Sequence, residues 1–76
     1  MELKEFVQSF ANEFDETPKD QFTASTVFKD LEEWDSLVSL SIISMVDDEL
    51  EKEISSADLK KCNNIEDLYN LVSALS

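Results

Sequence analysis

The sequence predicts an all-α fold: a four-helix bundle with a short third helix and a long loop between helices 1 and 2. Several segments repeat apolar residues every three or four positions, as on one face of an α-helix. No segment alternates apolar and polar residues over a useful length, as a half-buried strand would. The chain also contains no Gly, which disfavours tight β-hairpins.

The composition indicates one small folded domain over residues 1–76, since 42% of the residues are hydrophobic. Eighteen acidic residues against six basic ones give a net charge of −12. This charge repels nucleic acid and anionic membranes and attracts basic protein surfaces. No segment is long enough to span a bilayer. We therefore expect no nucleic-acid binding and no membrane insertion. We also expect the chain to be a monomer.

The first helix is predicted near the N-terminus and ends before Pro18, which disfavours helical geometry at the preceding residue. Its apolar face comprises Leu3, Phe6, Val7, Phe10, Ala11 and Phe14. Residues 15–35 form the long connection, with a short turn near Val27 to Leu31. The side chains expected to hold this loop on the helices are Phe22, Val27, Phe28 and Leu31. Trp34 either anchors the loop or stands exposed at its end, and its large apolar area favours anchoring.

The second helix is predicted to begin at Ser36 with Asp35 as its N-cap. Its inward face is expected to comprise Ser39, Ile42, Ile43, Val46 and Leu50. Leu37 falls on the opposite side and Leu40 near its edge. These two residues are either ordinary exposed apolar side chains or part of a docking patch. Because scattered exposed apolar residues are common, periodicity alone favours the first interpretation.

Two further helices follow in "SSADLKKC" and "NNIEDLYNLVSAL". The first is short, with Ser55 or Ser56 as its cap and Leu59 and Cys62 facing inward. In the last helix, Asn64 is the expected N-cap, and Asp67 completes a capping box. Its apolar stripe comprises Ile65, Leu68, Val72 and Leu75, flanked by Tyr69 and Leu71.

The residue types argue against an enzyme. The chain has no His, so Ser36 cannot belong to a Ser-His-Asp triad. The nearest Lys, Lys29, lies in the loop with no sign of burial. The run "DDELEKE" lacks the central Gly of a calcium loop, and no metal site is expected. Cys62 is the only Cys, so no internal disulfide is possible, and we expect a reducing cytoplasm. Cys62 itself is expected to be a small buried hydrophobe.

Ser36 has two interpretations. A Ser at a helix start is usually only a capping-region residue. However, a phosphate attached there would lie beside the unpaired backbone N–H groups and the positive dipole end of the helix. The position therefore suits a Ser that carries a phosphodiester, which another enzyme would attach.

The chain resembles acyl carrier proteins along essentially its whole length. Asp35, Ser36 and Leu37 match the D-S-L attachment motif of that family, and an apolar helix with the acidic end "MVDDELEKEI" follows. The resemblance implies 4′-phosphopantetheine on Ser36, transferred from coenzyme A by a phosphopantetheinyl transferase, the holo-carrier synthase. The terminal thiol of this arm, rather than Cys62, would hold an acyl group as a thioester. Fatty-acid biosynthesis and lipid metabolism are the typical setting.

The resemblance also implies docking through the second helix, and this now favours Leu37 and Leu40 as contacts. Partners would be acyl-transfer, ligase or synthase enzymes with basic docking surfaces. The acidic residues implied in docking are Glu32, Glu33, Asp35, Asp47, Asp48 and Glu51.

This chain departs from many fatty-acid carriers around the motif. Glu32 and Glu33 stand where those have a Gly, and Val38, Ser39 and Ser41 stand where they have acids. A specialised lipid, polyketide or modified-sugar pathway is therefore open, as is an aminoacyl carrier of the D-alanyl or peptidyl type. The alternative from another class is an acidic helical adaptor without a prosthetic group. Ser39 is small and expected to point inward, which would leave room beside the arm.

The net charge of −12 predicts that salt stabilises the fold, because screening weakens repulsion among carboxylates. The melting temperature, followed by circular dichroism, should rise as salt is added up to about 0.1 M, where the Debye length is about 10 Å. A melting temperature that stays constant or falls would contradict this account of self-repulsion.

Overall fold

A computed structural model describes residues 1–75 and confirms the four-helix fold. The helices are α1 (Leu3–Asn12), α2 (Ser36–Leu50), α3 (Ser56–Lys61) and α4 (Ile65–Ala74). The connection between α1 and α2 contains two single-turn 3-10 helices, Lys19–Gln21 and Phe28–Asp30. The described residues form no strand. Within them, no helix has the length and apolar character that crossing a membrane would require.

One hydrophobic core joins all four helices and the long loop. The side chains that are fully buried are Phe6, Phe10, Phe14, Phe28, Ile42, Val46, Ile65, Leu68 and Val72. Residues 1–75 bury no polar or charged side chain in this core. Burial of apolar area, at about 25 cal/mol per Å², is therefore the main stabilising term.

The predicted apolar faces are confirmed for most of α1, α2 and α4, and three predictions about burial are corrected. Met45 is buried although the periodicity did not select it, because it lies one turn after Ile42 and beside Val46. Leu75 is 37% exposed, because α4 ends at Ala74 and the chain then becomes extended. Val27 is also exposed and does not hold the loop.

Aromatic packing holds the loop against α1. The Trp34 ring stacks over Phe10, with centroids 6.4 Å apart, and meets Phe28 edge-on at 4.8 Å. Phe22 packs against Phe14 at 4.9 Å. Such aromatic pairs contribute beyond their buried area. The expected anchoring role of Trp34 is therefore confirmed, and it fixes the chain two residues before Ser36.

The Glu33 carboxylate joins the end of the loop to its beginning. It accepts hydrogen bonds from the backbone N–H groups of Asp15, Glu16 and Thr17, at 2.8, 3.1 and 2.8 Å, and from the Thr17 hydroxyl at 2.8 Å. Desolvation alone would raise the pKa of Glu33, but the hydrogen bonds from Thr17, Asp15 and Glu16 together lower it. The ionised form is thus the one that the fold stabilises.

The loop is also tied to its other neighbours. The Lys19 ammonium donates to the carbonyls of Ala11 and Phe14, at 2.6 and 2.7 Å, which satisfies acceptors at the end of α1. The backbone N–H of Glu66, in the first turn of α4, donates to the Ala24 carbonyl at 2.9 Å. These bonds explain how a long connection remains ordered.

The predicted helix caps of α3 and α4 are confirmed. Ser55, rather than Ser56, is the N-cap of α3 and forms a capping box with Asp58. Asn64 caps α4 by accepting from the Asp67 N–H at 2.8 Å. Each cap satisfies backbone donors that the first helical turn leaves without a partner.

We expect Glu33→Gln to lower the melting temperature at pH 7, since an amide cannot accept these hydrogen bonds as well as a carboxylate. The lowered pKa means that the stabilisation is present above the ordinary carboxyl pKa of about 4.3 and is lost as pH falls through the lowered value. The variant should therefore lose less stability than the wild type during acidification.

Glu32→Gln is the matched control, because it removes the same charge from an exposed neighbour. Circular dichroism melts across a pH series compare the two variants with the wild type. If both variants melt alike at pH 7, Glu33 does not hold the loop.

Candidate functional site

The candidate site is the start of α2. Asp35 is extended and caps the helix, since its carboxylate accepts from the Val38 N–H at 2.9 Å and its carbonyl accepts from the Ser39 N–H at 3.0 Å. Ser36 is the first helical residue and is exposed. The N–H groups of Ser36 and Leu37 have no intrahelical acceptor at this position. An anion on the Ser36 hydroxyl would therefore meet backbone donors and the positive end of the helix.

The hydroxyls that follow Ser36 are engaged with the backbone of the same turn. Ser39 Oγ donates to the Ser36 carbonyl at 2.8 Å, and Ser41 Oγ donates to the Leu37 carbonyl at 3.2 Å. Ser39 is half-buried, so its expected inward orientation is met only in part. Of these Ser side chains, the one at position 36 is the most open to a modifying enzyme.

One side of α2 combines apolar and acidic residues and is called here the acidic α2 face: Leu37, Leu40, Asp47, Asp48 and Glu51. All five are exposed, and Leu37 and Leu40 leave 74% and 60% of their surface uncovered. At 100° per residue they fall within one third of the helix circumference. Glu51 ends α2 in the left-handed conformation at φ 57°, and its N–H donates to the Asp47 carbonyl.

Glu32 and Glu33 lie in the turn before α2 rather than on the helix. Glu32 is exposed, whereas Glu33 is half-buried. The four hydrogen bonds of Glu33 give it a structural role within the chain that the sequence did not indicate. Its assignment to docking stays a prediction.

A cleft lies beside Ser36 and includes Ser39, where the sequence led us to expect room, but its two lysines were not anticipated. It has a volume of about 260 Å³, and its lining residues are Lys29, Trp34, Asp35, Ser36, Ser39, Ser56, Leu59 and Lys60. Contrary to expectation, Lys29 is half-buried: its ammonium donates to the Lys60 carbonyl at 2.9 Å and lies 6.0 Å from the Phe28 ring centroid. The neighbouring aromatic residues in "VFKDLEEW" were the only sequence signal for this burial.

Cys62 is buried and suits a packing role. Burial raises the pKa of its thiol, and Asp67 raises it further. Its Sγ lies 3.4 Å from the Asp58 carbonyl. A buried protonated thiol is a poor nucleophile. Among residues 1–75, no group of His, Cys, Asp and Glu side chains could hold a metal ion.

The family whose model describes a phosphopantetheine attachment site matches residues 4–72 of this chain. The chain belongs to this family. It is therefore a carrier protein for a covalently attached 4′-phosphopantetheine group. Carriers of this family work with phosphopantetheinyl transferases and with synthase or ligase enzymes.

The comparisons with curated proteins and with solved structures gave no match. The residues at the start of α2 fit the prosthetic group, because they combine an exposed hydroxyl, first-turn N–H donors and an adjacent cleft. Family membership favours a carrier over an adaptor without a prosthetic group.

Proposed function

We propose that Ser36 carries the 4′-phosphopantetheine arm and that the chain delivers acyl groups, held as thioesters, in a fatty-acid or a specialised lipid or polyketide-type pathway. The observation that supports this most directly is the exposed Ser36 at the first position of α2, behind a capping Asp35 and inside the matched region.

The chain's own residues present and orient the attachment point. Asp35 occupies the Val38 N–H, and the N–H groups of Ser36 and Leu37, which have no intrahelical acceptor, stay available to an anion on Ser36. The arm, when attached, supplies a terminal thiol that forms the thioester. The chain has no His and a buried Cys, and we propose that it performs no catalysis of its own.

The acidic α2 face is the proposed docking surface. Leu37 and Leu40 offer apolar contact, and Asp47, Asp48 and Glu51 offer charge. A net charge of −12 would steer basic enzyme surfaces toward the chain and accelerate encounter. Glu32 lies ahead of this face and extends the charge. We propose a cytoplasmic monomer that meets its partners one at a time.

The first turn of α2 favours a specialised pathway over the standard fatty-acid set. It carries no acidic residue after Asp35, and the hydroxyls of Ser39 and Ser41 are bonded to the backbone. Partners that require charge at these positions would dock less well. The same feature leaves an aminoacyl carrier, of the D-alanyl or peptidyl type, as the second candidate.

Intact mass measures the modification. After incubation with coenzyme A and a broad-specificity phosphopantetheinyl transferase, the mass should rise by one phosphopantetheinyl group. Ser36→Ala should abolish the rise, and Ser39→Ala should retain it, because Ser39 Oγ is bonded to the Ser36 carbonyl. Failure with several transferases, or a rise in Ser36→Ala, would overturn the assignment. The mass of the loaded species from cells separates acyl from aminoacyl cargo.

Steady-state kinetics with the same transferase tests the docking surface. Leu40→Ala should lower kcat/KM roughly 3- to 10-fold, as expected when an apolar contact at an interface is truncated. Its melting temperature should be nearly unchanged, since Leu40 is 60% exposed. Val27→Ala, exposed on the loop, is the control and should leave kcat/KM unchanged. Equal kinetics for the two variants would exclude Leu40 from docking.

A further inference from the structure

The cleft beside Ser36 differs in charge from the rest of the molecule. Across the whole chain, acidic residues outnumber basic ones by eighteen to six. In this cleft the ratio is reversed, because its lining contains two basic residues, Lys29 and Lys60, and one acidic residue, Asp35. The Asp35 carboxylate is already bonded to the Val38 N–H, which offsets part of its charge.

Lys29 is held in place before any ligand arrives. Its ammonium donates to the Lys60 carbonyl at 2.9 Å and lies 6.0 Å from the Phe28 ring centroid. An ammonium has three N–H donors, so this bond leaves two for another acceptor. The side-chain entropy that binding would otherwise cost is therefore already reduced.

A second groove on α2 has the opposite character. It has a volume of about 310 Å³ and runs beside Leu40, Asp47 and Glu53. Neither Ser36 nor any Lys lines it. A phosphodiester on Ser36 thus borders one cleft with two cations, while the groove with carboxylates lies farther along the helix.

We propose that Lys29 and Lys60 bind the phosphodiester of the arm on Ser36 and hold the arm in their cleft, away from the acidic α2 face. This proposal rests on the attachment at Ser36 proposed above. Charge-assisted hydrogen bonds from two ammonium groups to phosphate oxygens are the interaction. The cleft volume of about 260 Å³ corresponds to roughly nine waters at ~30 Å³ each, which accommodates a phosphate group.

The consequence is a separation of tasks on α2. The anionic arm occupies the side that Lys29 and Lys60 line, and the acidic α2 face stays open to basic enzymes. Lys29 and Lys60 are positioning residues in this scheme, since they act on the arm through its phosphate and not on the thioester. A basic partner that competes for the phosphate would release the arm when it docks.

The test compares the melting temperatures of modified and unmodified protein. Modification adds a negative charge and on its own increases self-repulsion. In the wild type, the two lysines should offset this repulsion. The change in melting temperature on modification should therefore be roughly 2–6 °C more positive in the wild type than in Lys29→Gln/Lys60→Gln. The advantage should shrink at ~1 M salt, where the Debye length is ~3 Å.

Lys4→Gln/Lys61→Gln is the matched control, because it removes the same charge from two exposed lysines outside the cleft. It should keep the wild-type difference between modified and unmodified protein. Phosphorus NMR provides the second readout: the resonance of the modified wild type should move on salt addition, and that of Lys29→Gln/Lys60→Gln should move less.

The melting temperatures of modified and unmodified protein are compared within each variant. A general loss of stability in Lys29→Gln/Lys60→Gln therefore does not affect the result. Equal melting differences and equal phosphorus shifts in both double variants would overturn the proposal while leaving the modification of Ser36 intact. Absence of any mass increase in the wild type would instead overturn the attachment itself.

Discussion

The position of Ser36 depends on how Trp34 packs. The indole stacks over Phe10, meets Phe28 edge-on and lies 6.3 Å from the Phe14 ring centroid, so it anchors the chain just before α2 to the aromatic face of α1. A loop of this length would otherwise bring Ser36 to no defined place. The cost in chain entropy is offset by burying aromatic area and by the bonds to Glu33. The first turn of α2 is therefore presented on a fixed support.

Charge is distributed so that the carrier remains folded and yet accessible. Most carboxylates lie at the surface, where neighbouring ones repel each other. At Glu13, burial and the charges of Glu49 and Asp15 raise the pKa. Glu33 is the exception, because backbone N–H groups surround it and its pKa is lowered. The six basic residues cannot neutralise the eighteen acidic ones, so their positions determine where positive charge acts. Lys19 closes α1, and Lys29 and Lys60 line the cleft at Ser36.

Sequence patterns were sufficient for the helices because a helix is a local structure. Apolar spacing located α1, α2 and α4, and preferred capping residues identified Asp35 and Asn64 as caps and left that of α3 as Ser55 or Ser56. The patterns predicted burial wrongly where a helix ended earlier than expected or where tertiary contacts determined which side chains are buried. Leu75 is exposed because α4 has ended before it. Met45 is buried because it lies one turn after Ile42, on a side of α2 that packs against the core and that the predicted face did not include.

The sequence by itself determined the fold class, the cap of α2 and the family to which the chain belongs. The first two depend on residues close together in the chain, and the third on a short motif set in a pattern of helices that the whole sequence shows. Only the tertiary structure decided what the loop does. It showed that Glu33 bonds to residues sixteen to eighteen positions earlier, and that Lys29 reaches Lys60 across thirty-one positions. Contacts between residues so distant in sequence arise from the packing of the whole core and leave no periodic trace. For that reason the cationic cleft beside Ser36 became visible only in the folded chain.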